Sequence, residues 1–180
     1  MQIKPIVLSV AFALAAIPAA AQNPVSDAAR SNWNSVKKNI KESAELMPPE
    51  NYSFKPTPDV RSFGQLIGHL ANGNFYFCSQ AKGEASPSKE NFERATDKDA
   101  IVKGLKDSLA YCDSVYNETT DTNFNQAMKV AAPGGSNVQA SRGSVLTFNT
   151  THNNEHYGNV IVYMRLKGLV PPSTARVQKK

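Results

Sequence analysis

Beyond its N-terminal segment the chain has no long apolar run, so no later stretch can span a bilayer and stable membrane insertion is excluded. Arginine does not cluster and basic residues do not interleave with aromatics, which removes the pattern of a nucleic-acid binder despite a formal net charge of +5. A modest basic excess of that kind serves solubility and loose attraction to anionic surfaces. There is no G-x-S-x-G elbow, and hence no serine hydrolase of the α/β type. Neither an internal repeat nor a sustained strand alternation is present, which leaves helices to build the core. The chain holds only two cysteines, one tryptophan and three histidines in 180 residues. Any metal or redox chemistry must therefore be concentrated in very few positions.

The one apolar run lies at the start. Lys4 is the only charge before Asp27, IVLSVAFALAAI is too short to cross a membrane, and Ala19-Ala20-Ala21 offers a small-x-small cleavage pattern. These features predict a secretion signal over 1–21, cut after Ala21, and a secreted or periplasmic protein. No cysteine near the cut suggests a lipid anchor. Removing the signal takes the net charge from +5 to +4 and leaves about 159 residues, enough for one domain over 22–175 with a basic, frayed tail over 176–180.

Four helices account for most of that domain. Ala29, Trp33, Val36, Ile40, Ala44 and Met47 recur at helical spacing, and Pro48-Pro49 stops this first helix. The lone tryptophan lies on the stripe and reads as core. PENYSFKPTP is an extended connector. A second helix is expected from Thr57 as N-cap, with Pro58 in its first position, to about Gln80. Gly64, Gly68 and Gly73 lower its propensity and permit close approach of a neighbour. A polar line of Gln65, His69, Asn72 and Tyr76 runs along it. After the loop KGEASPSKENFERA, a third helix starts near Thr96, where Thr96-x-x-Asp99 resembles a capping box, and runs to about Tyr116. The stretch 119–142 has no helical period and is a candidate lid or pocket wall. The fourth helix spans Gly143 to Lys167, with a polar line of Asn149, His152, Glu155, His156, Asn159 and Tyr163 in an otherwise apolar body. The fold class is all-α, a four-helix bundle.

His152 and His156 are one helical turn apart and face the same way, and His69 on a neighbouring helix can complete a facial set of three nitrogens. Such a set holds a divalent metal and leaves a position open, as catalytic rather than structural zinc sites do. The alternative is two surface histidines and one core histidine. Zinc is the first choice, with nickel, iron or copper also suited to imidazole. The second ring nitrogens need partners, and Asn149, Glu155, Asn159, Gln65 and Asn72 lie one turn from a ligand. Glu155 is the candidate general base. HNNEH also matches the inverted zincin pattern, but that fold needs a downstream acidic ligand, and no Asp or Glu follows Glu155.

Two segments, PPENYSFKPTPDVRSFGQLIGHLANGNFYFC and THNNEHYGNVIVYMRLKGLVPPS, resemble the DinB-like family of small helical metalloproteins, which is unrelated to the DNA polymerase of similar name. A lone histidine on the second helix, H-x-x-x-H on the fourth and a trailing Gly-x-Val-Pro-Pro carry the likeness. The resemblance implies an up-down-down-up bundle with a long crossover and metal ligands at His69, His152 and His156. It further implies a thiol-linked transferase or isomerase, or a hydrolase, acting on a small molecule. A non-catalytic metal- or ligand-binding bundle is the other reading, and a homodimer is compatible with either. The family topology sets Cys78 and Cys112 at similar heights on parallel helices, so an exported chain is expected to bridge them. Two small buried apolar residues are the alternative.

Overall fold

In the computed structural model, residues 22–131 and 136–179 are described. The predicted signal segment and its cleavage point lie outside them. Four long helices form the body: α1 (Pro24–Leu46), α2 (Phe63–Lys82), α3 (Lys98–Glu118) and, after a short α4 (Asp121–Phe124), α5 (Arg142–Leu166). A seven-residue α6 (Pro172–Gln178) closes the described chain. No helix among the described residues is long and apolar enough to cross a membrane.

The stripe on α1 is the core face: Trp33, Val36, Ile40 and Ala44 are fully buried or nearly so. Trp33 stacks on Tyr116 at 4.9 Å and donates its indole N–H to Asp113. α2 begins five residues later than Pro58, the first helical residue expected. Ser62 is its N-cap and forms a reciprocal capping box with Gln65. The connector explains the delay. The backbone N–H groups of Phe63 and Gly64 donate to the carbonyls of Phe54 and Tyr52, which holds 52–61 in turns. Asp97, not Thr96, caps α3 by accepting from the Ala100 N–H.

Helix directions follow from contacts at both ends. Along α2 and α3, Gly64 approaches Ile101, Asn74 donates to Ser108 and Cys78 is bridged to Cys112, so the two run parallel. α5 runs against α2, since Phe77 meets Phe148 at one end and Phe63 meets Tyr163 at the other. α1 runs against α3, with Lys98 donating to the Met47 carbonyl and Arg30 to that of Thr119. The bundle is therefore up-down-down-up. Parallel neighbours cannot be joined by a tight turn, so residues 83–97 must travel back along the bundle before α3 starts. Gly83, at φ 79°, turns the chain out of α2 in a left-handed conformation that favours glycine.

Two features were not expected from the sequence. The stretch 119–142 contains a β-hairpin, β1 (Ala127–Ala131) paired antiparallel with β2 (Asn137–Ser141), in the register Ala127↔Ser141 to Ala131↔Asn137. Five-residue strands are too short to establish an alternation, although Pro133-Gly134-Gly135 between two apolar pieces is a turn signal. The tail is not frayed at Arg176, because its guanidinium bonds to Glu42 and Asn39 and ties α6 to α1.

Cys78 and Cys112 form a disulfide, with Cα atoms 5.4 Å apart and both residues fully buried. Among the described residues no cysteine is free. Around the bridge lies a buried amide network. Asn153 donates to Asn74 at 2.8 Å and to the Asn149 carbonyl, and the Tyr116 hydroxyl donates to the Leu146 carbonyl. The three buried asparagines partly satisfy one another, while Oδ1 of Asn153 is buried with no partner among the described residues.

A three-histidine cluster between two antiparallel helices

His69 projects from α2, and His152 and His156 from the facing side of α5. Their candidate ligand atoms all lie within 4.8 Å of one another. The Nε2 atoms of His69 and His152 are 3.1 Å apart, and the His156 ring stands nearly perpendicular to both others. Gly73 makes room for this packing. A Cβ there would lie 3.0 Å from Cε1 of His152, so a larger residue would push that ring.

The second-nitrogen partner of His69 is one the sequence does not reveal. Its Nδ1 lies 3.1 Å from Oε2 of Glu93, whose Oε1 accepts from Nε of Arg61 at 2.8 Å. Glu93 sits in the returning connector, in the helical turn Phe92–Arg94. Burial would raise its pKa, but hydrogen bonds and charge from Arg61 and His69 hold it below the ordinary carboxylate value. A carboxylate accepts only, so Nδ1 of His69 donates to Glu93, and Nε2 is the nitrogen that faces His152. This is the carboxylate–histidine arrangement that orients metal-ligating imidazoles. Nothing in KGEASPSKENFERA marks Glu93; only the path of the connector brings it here.

Several residues on the polar lines do other work. Gln65 caps α2, while Asn72 anchors the connector by binding Asn91 and the Phe92 N–H. Tyr76 donates to the Ala131 carbonyl of the hairpin. Asn149 is buried beside the disulfide, and Asn159 lines the groove next to His156. Glu155 is exposed on α5 and makes no hydrogen bond to any of the three histidines; its charge favours the protonated form of His156.

Burial, then repulsion from His156 and His69, pushes the His152 pKa down to about 4. Burial and His69 lower that of His156 as well. Both rings are therefore neutral at neutral pH, the state a metal ligand requires. The Nδ1 atoms of His152 and His156 are buried without a hydrogen-bond partner. Three imidazoles that converge at short range, two of them neutral and with a buried nitrogen lacking a partner, form a donor set that fits a divalent cation. Two nitrogens at about 2.0–2.1 Å from one tetrahedral ion would be about 3.3 Å apart, close to the observed Nε2 separation. Among the described residues no fourth His, Cys, Asp or Glu joins the group. The cluster opens beside a groove of about 580 Å³ lined by Lys55, Arg61, Glu93, His156, Asn159 and Tyr163. A neighbouring cavity of about 750 Å³ shares Lys55, Gln65 and Glu93 with it.

Comparison with known proteins agrees with this architecture. The family model described as the DinB superfamily matches residues 33–160. YjoA of Bacillus subtilis strain 168 is 25% identical over 129 residues, which is 71% of this chain and 80% of that protein. The crystal structure of a DinB-like protein from Bacillus cereus ATCC 10987 superposes with a TM-score of 0.66 at 18% identity, over 81% of this chain and 95% of that one. That of the mycothiol-dependent maleylpyruvate isomerase superposes with a TM-score of 0.59 at 16% identity, over 75% of this chain and 60% of the isomerase. Because the family model matches residues 33–160, most of the chain and all three histidines, the chain belongs to the DinB superfamily.

Proposed function

We propose that this chain is an exported DinB-like protein that holds one divalent metal at His69, His152 and His156, and that it is a metal-dependent enzyme acting on a small molecule. The observation that carries the reading is the convergence of three half-buried imidazoles, two of them with a buried nitrogen that has no partner, and with no fourth side-chain ligand beside them among the described residues. When bound, a divalent ion, zinc first and nickel or iron next, would supply Lewis acidity to a ligand in its open position. The chain's own residues prepare the site. Glu93 fixes the proton of His69 on Nδ1, and burial keeps His152 neutral. Arg61 bonds Glu93 through Nε, and its terminal N–H groups, which make no hydrogen bond among the described residues, suit an anionic group in the groove. Glu155 is an uncommitted carboxylate beside His156 and the candidate base. The superposed isomerase is mycothiol-dependent, which supports a thiol-linked transfer; hydrolysis is the second chemistry the site suits. Export is supported by the N-terminal pattern and by a fully buried disulfide, a bond that persists in oxidising compartments.

One observation favours a binding protein without turnover. Glu93, the carboxylate that touches the cluster, is already shared between Arg61 and His69, which leaves no free acid in contact with the histidines among the described residues. The test begins with metal analysis of protein purified from the exported fraction. About one equivalent per chain is expected, with most of it lost in His152→Ala while helical content is kept. Full metal retention in all three single alanine variants would overturn the metal site. With cobalt(II) in the site, visible spectra that respond to azide or a thiol support catalysis. Spectra indifferent to both leave the binding role.

A further inference from the structure

The hairpin and the two helices it covers enclose a second cavity, of about 340 Å³, separate from the polar groove. Its walls are Phe77 on α2, Val130 on β1, Val138 and Ala140 on β2, and Val145 and Phe148 on α5. Three polar side chains also border it, and each is tied to the protein by at least one hydrogen bond. Tyr76 donates to the Ala131 carbonyl at 2.5 Å, Gln80 accepts from the Ala131 N–H, and Ser144 donates to the Ser141 carbonyl. The first two of these bonds hold the hairpin to α2 and so create the cavity, while occupying the Tyr76 hydroxyl proton and the Gln80 carbonyl oxygen. The rest of the lining is predominantly hydrocarbon, with two phenyl rings meeting edge to face at 5.1 Å.

The same two rings connect the cavity to the histidines. The His152 ring lies 5.4 Å from that of Phe77 and 6.4 Å from that of Phe148. Phe148 is 56% exposed and Val138 45%, an uncommon expenditure of apolar surface unless something apolar covers it. The volume suits one small molecule, or one arm of it, and is too confined for a helix or strand of a partner protein.

We infer that this cavity binds an uncharged apolar group, aliphatic or aromatic, belonging to the small molecule whose polar end lies at the histidine cluster. The orientation rests on the reading of the histidines as the reactive centre; binding of an apolar group does not. The ligand is then amphipathic, its polar part in the groove of Arg61 and its hydrocarbon part beneath the hairpin.

Fluorescence titration of the metal-free full chain with prodan, a small uncharged fluorophore, tests this. Saturable one-to-one binding with a blue-shifted emission is expected. Ala140→Trp, which fills the cavity, and Val138→Asp, which charges its half-exposed wall, should each weaken binding by about tenfold or more. The aspartate replaces an exposed residue, so it tests the site even where the tryptophan disturbs folding. Lys103→Gln, at an exposed α3 position outside the cavity lining, should bind prodan as the wild type does. Absence of saturable binding, or equal binding by both cavity variants, overturns the proposal. Metal content is measured separately, so prodan binding without metal would remove the histidine reading alone, and metal without prodan binding would remove this one alone.

Discussion

Phe92 and Glu93 do as much for the histidine cluster as any residue on the long helices. The Phe92 ring stacks near Phe75 and fills the space left by Gly104, where a Cβ would lie 2.3 Å from its ring atoms. Its carbonyl passes so close to α2 that a Cβ on Gly68 would lie 2.2 Å from that oxygen. A backbone atom cannot rotate away, so Gly68→Ala must displace the turn that carries Glu93. The expected cost is about 1–3 kcal/mol of stability, as for other overpacked positions, measured by urea unfolding. The same variant should weaken metal binding, because Glu93 leaves His69. Glu93→Gln separates the two effects: folding is nearly unchanged, while metal affinity falls by about 10–100-fold through loss of the orienting carboxylate. Unchanged affinity in Glu93→Gln, measured by competition with a chelator, would show that the carboxylate plays no part in holding His69.

Period-bearing helices were legible in the sequence, and elements defined by tertiary contact were not. Trp33, Val36 and Ile40 announce α1, and the i,i+4 histidines announce the site face of α5, because one turn of helix fixes direction without knowledge of neighbours. The start of α2 was misplaced because Thr57-Pro58 is a good local cap, yet the backbone bonds of Phe63 and Gly64 to the connector favour Ser62. Glu93 could not be found, since its approach to His69 depends on parallel α2 and α3 forcing the connector back past the cluster. The hairpin owes its attachment to Tyr76 and Gln80, more than forty residues away in sequence, which no local pattern encodes. The bridge was within reach once the helices were parallel, because both cysteines then lie at nearly the same height. It fastens those parallel helices across a 34-residue separation, and in the chain-entropy model its loss costs about 3–4 kcal/mol. Reduced and alkylated protein should show a correspondingly lower urea midpoint, and intact mass should reveal no alkylation before reduction. Two thiols alkylated in denatured, unreduced protein would remove the bridge.

The proposed metal site would couple to the stability of the whole molecule, because the three imidazoles come from two helices that an unfolded chain does not hold together. A ligand that binds only the folded state at 100 times its dissociation constant adds about 2.7 kcal/mol, which for a chain of this size raises Tm by roughly 5–10 °C. Without metal the same histidines become a liability in acid. His152 in the folded protein takes up a proton only near pH 4, whereas an unfolded histidine does so near pH 6.5. Between about pH 6.5 and 4 the unfolded state therefore holds more protons, and falling pH favours unfolding; below about pH 4 this contribution no longer grows. The metal-free protein should lose stability across that window. His152→Ala should lose less, since it no longer offers the unfolded state that proton. Added zinc should raise Tm at neutral pH, and the gain should shrink as acid competes for the imidazoles. Calorimetric scans from about pH 7 to 4, with and without zinc, for the wild type and His152→Ala, measure both effects together. A zinc-induced shift of equal size in the two proteins would place the ion somewhere other than between α2 and α5.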